Sequence, residues 1–193
     1  IISAVSEIKK KVGIDMCASL GKLDERDLVS LKRAGFSRYH HNIETSPRYF
    51  SRIVTTHSFQ DRVDTIKAAK RAGLEVCSGG IIGMGEDWDD RIEMAFILKE
   101  LDVDSVPINI LVPIKGTPFE DIKPMSADDA IRTIAIFRMV LEDKIVKIAA
   151  GRESILKDSQ GLAFAAGANG MLIGGYLTIG GMGIEEDRTL IEE

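Results

Sequence analysis

Two thiols and one guanidinium are the residues whose chemistry stands out against apolar surroundings. Cys17 and Cys77 are the only cysteines of the 193-residue chain, and each lies in an apolar segment of strand length. Arg152 follows the apolar segment 145–150, where a buried guanidinium needs an anionic partner. Because thiolates bind soft metals and iron–sulfur clusters, the three residues form a candidate metal or cluster site. The alternative is that the cysteines are ordinary small core residues.

A second group of polar residues lies at the end of the apolar segment 36–43 and beyond it. Asn42 and Glu44 alternate along one predicted strand, so an amide and a carboxylate on the same side can together bind a ribose diol. His40 lies on that side too, where a lone histidine is most often a hydrogen-bonded structural residue. Arg62 lies at the start of a predicted helix. It is either a bidentate partner for a carboxylate of substrate or cofactor, or a solvated surface residue.

A glycine-rich run, residues 79–86 (GGIIGMGE), lies at a predicted strand-to-helix junction. Glycines at such a junction allow the backbone to approach a cofactor closely, and they also serve as plain turn residues. Glu86 precedes the next helix and can complement its dipole. The run is a candidate cofactor loop.

Segments of strand length alternate with segments of helical length along the whole chain. The predicted strands are residues 12–19, 36–43, 74–82, 105–112, 145–150 and 171–174, and the predicted helices are residues 25–34, 60–72, 88–101, 127–141, 156–166 and 184–193. Strands buried on both faces and followed each time by a helix predict a parallel α/β sheet. No Pro/Gly-rich linker interrupts the pattern, so we expect residues 1–193 to form a single domain.

The positions of the polar residues favour a barrel over a doubly wound open sheet. About six strand-helix units fit a (β/α) TIM-type barrel that lacks its two N-terminal units. Cys17, Asn42, Cys77, Asn109 and Arg152 fall near the C-terminal ends of successive predicted strands, where such barrels build their active sites. We therefore expect a partial barrel.

Composition and charge exclude several kinds of partner. The formal net charge is -5 and the isoelectric point is near 5.3, which argues against binding to nucleic acid or to an anionic membrane. Charged residues interrupt every apolar run before the ~18 residues that a membrane helix needs. Two cysteines form no disulfide framework and predict a reducing cytoplasm. The chain opens with helical spacing and without Met, so we expect further residues upstream.

Several motifs coincide with one family. In order along the chain they are residues 16–21 (MCASLG), 41–47 (HNIETSP), 76–83 (VCSGGIIG), 105–109 (SVPIN), 115–118 (KGTP), 150–153 (AGRE) and 166–169 (AGAN). Together they resemble the biotin synthases of the radical S-adenosylmethionine superfamily, over nearly the whole chain. Those enzymes use a 4Fe-4S cluster to cleave S-adenosylmethionine, and the 5'-deoxyadenosyl radical abstracts hydrogen from dethiobiotin so that sulfur from an auxiliary cluster is inserted.

The resemblance implies a role for each candidate residue. It makes Cys17, Cys77 and Arg152 ligands of the auxiliary cluster. Asn42 and Glu44 hold the adenosyl ribose, and Arg62 holds the methionine carboxylate. The run from Gly79 through Ile81 and Gly83 to Glu86 matches the GxIxGxxE cofactor stretch of the family, Val112 faces the adenine, and His40 and Asn109 face dethiobiotin.

The sequence also departs from the family pattern. The CxxxCxxC loop that ligates the radical-generating 4Fe-4S cluster is absent, as is a third auxiliary-cluster cysteine, and the family places both upstream. We expect this chain alone not to cleave the cofactor. His40 stands where better-known members carry a substrate-facing asparagine, and Glu44 is one methylene longer than the usual aspartate, which leaves the substrate in question. The auxiliary cluster is 2Fe-2S or larger.

Three other functions compete with this interpretation. They are a sister radical enzyme of the hydrogenase-maturation or methylornithine-forming kind, a cofactor-free barrel fragment that acts as a scaffold, and a phosphate-binding barrel lyase or isomerase. Cys17 together with Cys77 and Arg152 argues against the sister enzyme. The resemblance further implies a homodimer, served by iron–sulfur assembly or sulfur-donor proteins.

Overall fold

The structure, a computed structural model, describes residues 2–174 and 181–192. Its helices are α1 (Ile2–Lys11), α2 (Glu25–Ala34), α3 (Pro47–Ile53), α4 (Phe59–Arg71), α5 (Trp88–Glu100), α6 (Ala127–Leu141), α7 (Arg152–Ile155), α8 (Gln160–Ala165) and α9 (Ile184–Glu192), with a 3-10 turn at Lys157–Ser159. Its strands are β1 (Cys17–Ala18), β2 (Arg38–His40), β3 (Glu75–Cys77), β4 (Gly80–Ile82), β5 (Ser105–Ile110), β6 (Ile145–Ile148) and β7 (Gly170–Met171). Among these residues no helix is both long and apolar enough to cross a membrane.

The strands form one parallel sheet in the order β1-β2-β3-β5-β6-β7, with β4 paired to β5 beyond the end of β3. The parallel α/β sheet predicted from the alternating pattern is thus confirmed. Within the described residues β1 and β7 do not pair, so the sheet is not closed into a barrel.

The register divides the strand residues between two faces. Ala18, Tyr39, Val76, Val106 and Val146 form the outer face, and each is at most 4% exposed, because the helices cover it. The residues paired across the inner face include Cys17, His40, Cys77, Pro107 and Lys147. The outer face therefore carries the core, and the inner face is free to carry chemistry.

The structure corrects the strand predicted over residues 74–82, which is two strands. The Cys77–Ser105 pairing ends β3, and Gly80 resumes the ladder opposite Ile108. The reason is close packing of the main chain at the glycines, since a Cβ added at Gly79 would collide with the Pro107 carbonyl oxygen.

Other strand ends are also shorter than predicted. The strand predicted over residues 36–43 ends at His40, and Glu44 returns to the sheet only as an isolated bridge to Gly80, with φ 71°. The prediction that Asn42 and Glu44 alternate along one strand is therefore wrong. Helix α3 was not predicted, although Ser46 caps its N-terminus and Pro47 occupies its first turn.

Candidate cofactor and cluster site

A cavity of about 540 Å³ opens where the chain leaves the C-terminal ends of the strands. Seven of the predicted site residues line it: His40, Asn42, Glu44, Arg62, Ile81, Asn109 and Val112. Apolar residues at the ends of β5 and β6 complete much of the wall, including Ile110, Leu111 and Ala149. Its polar groups are few and close together, as in sites that bind a small molecule or cofactor.

The charged centre of the cavity is an ion pair between two of the residues predicted to bind the cofactor, Glu44 and Arg62. Arg62 Nη1 lies 3.1 Å from Glu44 Oε1 and donates to the Asn42 carbonyl oxygen at 3.2 Å. Burial raises the pKa of Glu44, while the Arg62 guanidinium and a hydrogen bond from the Asn42 amide act in the opposite direction. A ligand entering the cavity meets a carboxylate and a guanidinium that already neutralise each other.

The two amides predicted to contact ligands also hold the main chain together. Asn42 Oδ1 accepts a hydrogen bond from the Gly79 N–H at 3.0 Å. Asn109 Nδ2 donates to the Gly80 carbonyl at 3.1 Å, and its Oδ1 accepts from the Ala150 N–H at 3.2 Å. Both amides are therefore fixed in orientation before any ligand binds.

The three histidines of the chain lie around the same ion pair. Burial lowers the pKa of His41 to about 4, with smaller contributions from the charge of Arg62 and from His40 and His57. Burial also lowers the pKa of His40, followed by the charge of Lys147. His40 and His41 are consequently neutral at pH 7, so they offer hydrogen bonds to a ligand without adding charge.

The glycine-rich loop is braced by Glu86. Its carboxylate accepts the N–H groups of Gly83 at 2.8 Å and Met84 at 2.7 Å, and it pairs with Arg91 Nε at 2.7 Å. The side chain is 1% exposed. Gly83 has φ 89°, a conformation that favours glycine. Glu86 therefore sets the shape of the loop, whereas the sequence suggested that it complements the dipole of the next helix.

The two thiols share the inner face of the sheet with two cations. Cys17 pairs with Arg38, the first cation, and Cys77 pairs with His40, so these four residues lie on that face. Lys147 is the second cation. Lys147 Nζ lies 3.5 Å from Cys77 Sγ. Burial raises the pKa of Cys17, as does the nearby Cys77, whereas Arg38 and Lys147 lower it.

The structure pairs Arg152 with carboxylates, and its role as a ligand of the auxiliary cluster stays a prediction. Its guanidinium is 1% exposed, and it pairs with Asp187 of α9 at 2.5 Å and with Glu153 at 3.1 Å. It also bonds Gln160 and the Leu172 carbonyl. Strand β6 ends at Ile148 and Gly151 turns with φ 84°, so Arg152 begins α7.

Lys147 is a cation next to Cys77 that was not among the predicted site residues. A signal was present, since Lys147 is the single charged residue in the apolar segment 145–150. Among the residues that the structure describes, the buried Ser105 Oγ, beside Cys77 in the ladder, has no hydrogen-bond partner. Two thiols, an ammonium and a free hydroxyl suit an anionic iron–sulfur group. Within the described residues, His, Cys, Asp and Glu alone form no group of three that could hold a metal ion.

A partial α/β barrel wall with a polar cavity at its C-terminal edge and thiols on its inner face defines a radical S-adenosylmethionine barrel. The profile of the radical SAM superfamily matches residues 1–98. The fold is similar to that of methylornithine synthase, with a TM-score of 0.77 and 24% identity over 88% of this chain and 50% of the other. The FeFe-hydrogenase maturase HydG from Carboxydothermus hydrogenoformans gives a TM-score of 0.74 and 17% identity over 98% of this chain and 51% of the other. The predicted partial barrel is confirmed.

Within that superfamily the chain belongs to the biotin synthases. It is 55% identical to the biotin synthase of Thermotoga neapolitana over 193 residues, all of this chain and 69% of that protein. It is 54% identical to that of Thermotoga petrophila and 50% identical to that of Pelotomaculum thermopropionicum, of which it covers 64% and 60%. The Biotin and Thiamin Synthesis associated domain matches residues 107–193. The sister enzymes share the fold at much lower identity, so this family is favoured over them.

The two profiles divide the chain near residue 100, but the sheet continues across that point. Strand β5 pairs with β3 and β4 on one side and with β6 on the other. The single domain expected from the sequence stays a prediction.

Proposed function

We propose that this chain is the larger part of an enzyme that inserts sulfur into dethiobiotin to form biotin. The observation that carries the proposal is the placement of two thiols on the inner face of the same sheet whose C-terminal edge bears the Glu44–Arg62 pair. Such an arrangement suits one site for a nucleoside cofactor and a neighbouring site for a sulfur-bearing cluster. Because the chain spans 57–69% of the length of several biotin synthases, the complete reaction belongs to the whole protein.

The cavity residues supply binding and orientation in this proposal. Glu44 and the Asn42 amide receive the ribose hydroxyls, and Arg62 receives the methionine carboxylate. The loop from Gly79 to Glu86, including Ile81 and Gly83, supports the cofactor through its main chain, and Val112 packs on the adenine. S-Adenosylmethionine, when bound with its 4Fe-4S cluster, supplies a 5'-deoxyadenosyl radical.

The substrate residues follow from the same cavity. Asn109 and the neutral His40 offer polar groups to dethiobiotin, whose ureido ring both donates and accepts hydrogen bonds. Asn109 is held by Gly80 and Ala150, so its remaining donor and acceptor sites have fixed directions. The apolar wall around Ile110 and Leu111 excludes water, which protects a reactive intermediate from unwanted hydrogen donors.

The residues near the thiols fit an auxiliary iron–sulfur cluster in part. Cys17 and Cys77 provide two thiolates, Lys147 and Arg38 provide positive charge, and Ser105 provides a hydrogen-bond donor. Arg152 stays the proposed third protein ligand of this cluster. The 193 residues contain no third cysteine, so they offer no ligand set for the radical-generating cluster.

The remaining aspects of the proposal concern the setting of the enzyme. We expect a cytoplasmic protein that works as a homodimer. We further expect iron–sulfur assembly or sulfur-donor proteins to renew the sulfur that the auxiliary cluster, 2Fe-2S or larger, gives up.

Anaerobic reconstitution with ferrous iron and sulfide tests the cluster half of the proposal. Iron content, visible absorption and Mössbauer spectra are compared for the parent chain, Cys17→Ala, Cys77→Ala and the control Ser51→Ala, an exposed hydroxyl on α3. We expect bound iron in the parent and the control, and its loss in either cysteine variant. Absence of bound iron in the parent, or equal binding in all four proteins, would contradict the auxiliary site.

A further inference from the structure

His57 forms a hydrogen bond through each of its two ring nitrogens, one with Arg62 and one with Thr56. Nε2 lies 3.0 Å from Arg62 Nε, and Nδ1 lies 2.9 Å from Thr56 Oγ1. The edge of the ring meets Phe50, with ring centroids 5.7 Å apart at an angle of 72°. Contacts with Arg62, Thr56 and Phe50 thus hold the imidazole next to the guanidinium that lines the cavity.

The chemistry of the Arg62 contact fixes the tautomer of His57. A guanidinium only donates hydrogen bonds and stays protonated in proteins, so His57 Nε2 must accept. The proton of the neutral ring therefore resides on Nδ1 and is donated to Thr56 Oγ1. A protonated ring would offer a second donor to Arg62 and would break the contact.

Three acceptors together determine where the Arg62 guanidinium points. His57 receives Nε–H, while Glu44 and the Asn42 carbonyl share Nη1. In the part of the chain that the structure describes, no hydrogen bond occupies Nη2. Both N–H groups of that nitrogen are left for a ligand, and they are held in place because Nε is anchored.

We infer that His57 is a positioning residue that holds Arg62 for the carboxylate of an amino-acid-bearing nucleoside. The inference rests on the proposed function, since it takes Arg62 as the group that binds the methionine part of the cofactor. The affinity for the methionine part of the ligand then depends on a hydrogen-bond acceptor at position 57, while the affinity for the adenosine part does not. His57 itself contacts Arg62 and not the ligand.

The test compares two probes that bind without the radical-generating cluster. S-Adenosyl-L-homocysteine carries the amino acid part, and 5'-methylthioadenosine lacks it. Dissociation constants are measured by calorimetry on the purified chain and on His57→Phe, which keeps an aromatic ring against Phe50 and removes the acceptor. His57→Gln is the conservative variant, because its amide oxygen restores an acceptor.

We expect His57→Phe to weaken S-adenosyl-L-homocysteine about tenfold, or about 1.4 kcal/mol, and to leave 5'-methylthioadenosine within about twofold. His57→Gln is expected to recover most of the loss. In an Arg62→Ala background, His57→Phe should have no further effect, since the two residues act as one unit. Equal weakening of both probes, or of neither, would overturn the inference.

A measurement on the ring separates failure of this inference from failure of the proposed function. Long-range ¹H–¹⁵N spectra of the parent chain report which nitrogen of His57 is protonated. We expect the Nδ1–H tautomer, and a proton on Nε2 would overturn the inference whatever the chain binds. If the tautomer is as expected but the parent binds neither probe, the cofactor site of the proposed function is wrong, and the assignment of His57 to ligand positioning is overturned with it.

Discussion

The Lys147 ammonium lies 3.5 Å from the Cys77 sulfur, although 70 positions separate the two residues in the chain. The parallel register produces this contact, because Cys77 pairs with Ser105 and Lys147 pairs with Pro107 two residues further along β5. Both side chains therefore lie on the inner face of the sheet. Lys147 also lowers the pKa of Cys17, the other thiol on this face, and the thiolate is the form of a cysteine that binds iron and carries sulfur.

Removing this cation should make Cys17 less reactive. Burial and Cys77 already raise the pKa of Cys17, and Lys147 is one of the two cations that oppose them. Lys147→Met should therefore raise this pKa further and slow alkylation of Cys17 by iodoacetamide at pH 8. Rates are measured across pH by mass spectrometry, with the exposed Lys67→Met of α4 as the control. Identical pH profiles for the two variants would contradict the assignment.

The buried pair between Arg152 and Asp187 should be a main attachment of α9. Both side chains are at most 1% exposed, and Asp187 also accepts the Gly174 N–H at 3.2 Å. Asp187→Ala leaves a buried guanidinium with weaker compensation from Glu153, so we expect a loss of about 3 kcal/mol in the free energy of unfolding. Urea titration measures it against the exposed Glu185→Ala. A loss equal to that of the control would show that the pair is not formed in solution.

Much of the fold follows from the alternation of apolar segments, because a strand buried on both faces and a helix with one apolar stripe differ in period. The helices α2 and α6 have the predicted bounds, and α5 is one residue shorter. Strand ends were less predictable. Where Gly79 packs on Pro107, contacts distant in sequence break a continuous apolar run into two strands.

Sequence reasoning selected residues for the site but not the contacts among them. Asn42, Glu44 and Arg62, which residue type and the family resemblance selected together, line one cavity. They did not single out Lys147, because its contact with Cys77 depends on the parallel register that places both residues on one face of the sheet. His57 gave no signal either, since its partner is five residues away along a loop and a helix start.

The glycine-rich loop should lose protection when its carboxylate is removed. Glu86 is buried and accepts the N–H groups of Gly83 and Met84. In Glu86→Ala these amides should exchange with solvent about 10 to 100 times faster, which matches about 1–3 kcal/mol for buried donors left unpaired. Hydrogen exchange followed by NMR checks this against Glu93→Ala, an exposed position on α5. Unchanged protection of both amides would mean that the loop holds its shape without Glu86.

Stability should decrease on mild acidification because of the buried histidines. The pKa of His41 is about 4 in the fold and near 6.5 when unfolded, so between these values the unfolded chain binds more protons. The stabilisation is complete above pH 6.5 and is lost as the pH falls towards 4, with a slope of at most about 1.4 kcal/mol per pH unit for one proton. His40 acts in the same direction.

The slope between pH 6.5 and 5 tests this, since the carboxylates with lowered pKa values titrate below that window. His41→Phe keeps a ring beside Tyr39, whose centroid lies 6.3 Å from that of His41, and should give a shallower slope in urea titrations at each pH. Parallel curves for the parent and the variant would show that His41 is protonated without cost.

Gly79 and Gly161 give opposite predictions for the same substitution. A Cβ at Gly79 would collide with the main chain of Pro107, so Gly79→Ala should lower the free energy of unfolding by about 1–3 kcal/mol or more. Gly161 lies in the exposed part of α8 with no atom near its Cβ direction, so Gly161→Ala should raise it by about 0.5–1 kcal/mol. Urea titrations without any ligand measure both. A loss at Gly79 in this ligand-free comparison means that strand packing alone requires the glycine, whereas unchanged stability would leave close approach to the cofactor as its reason.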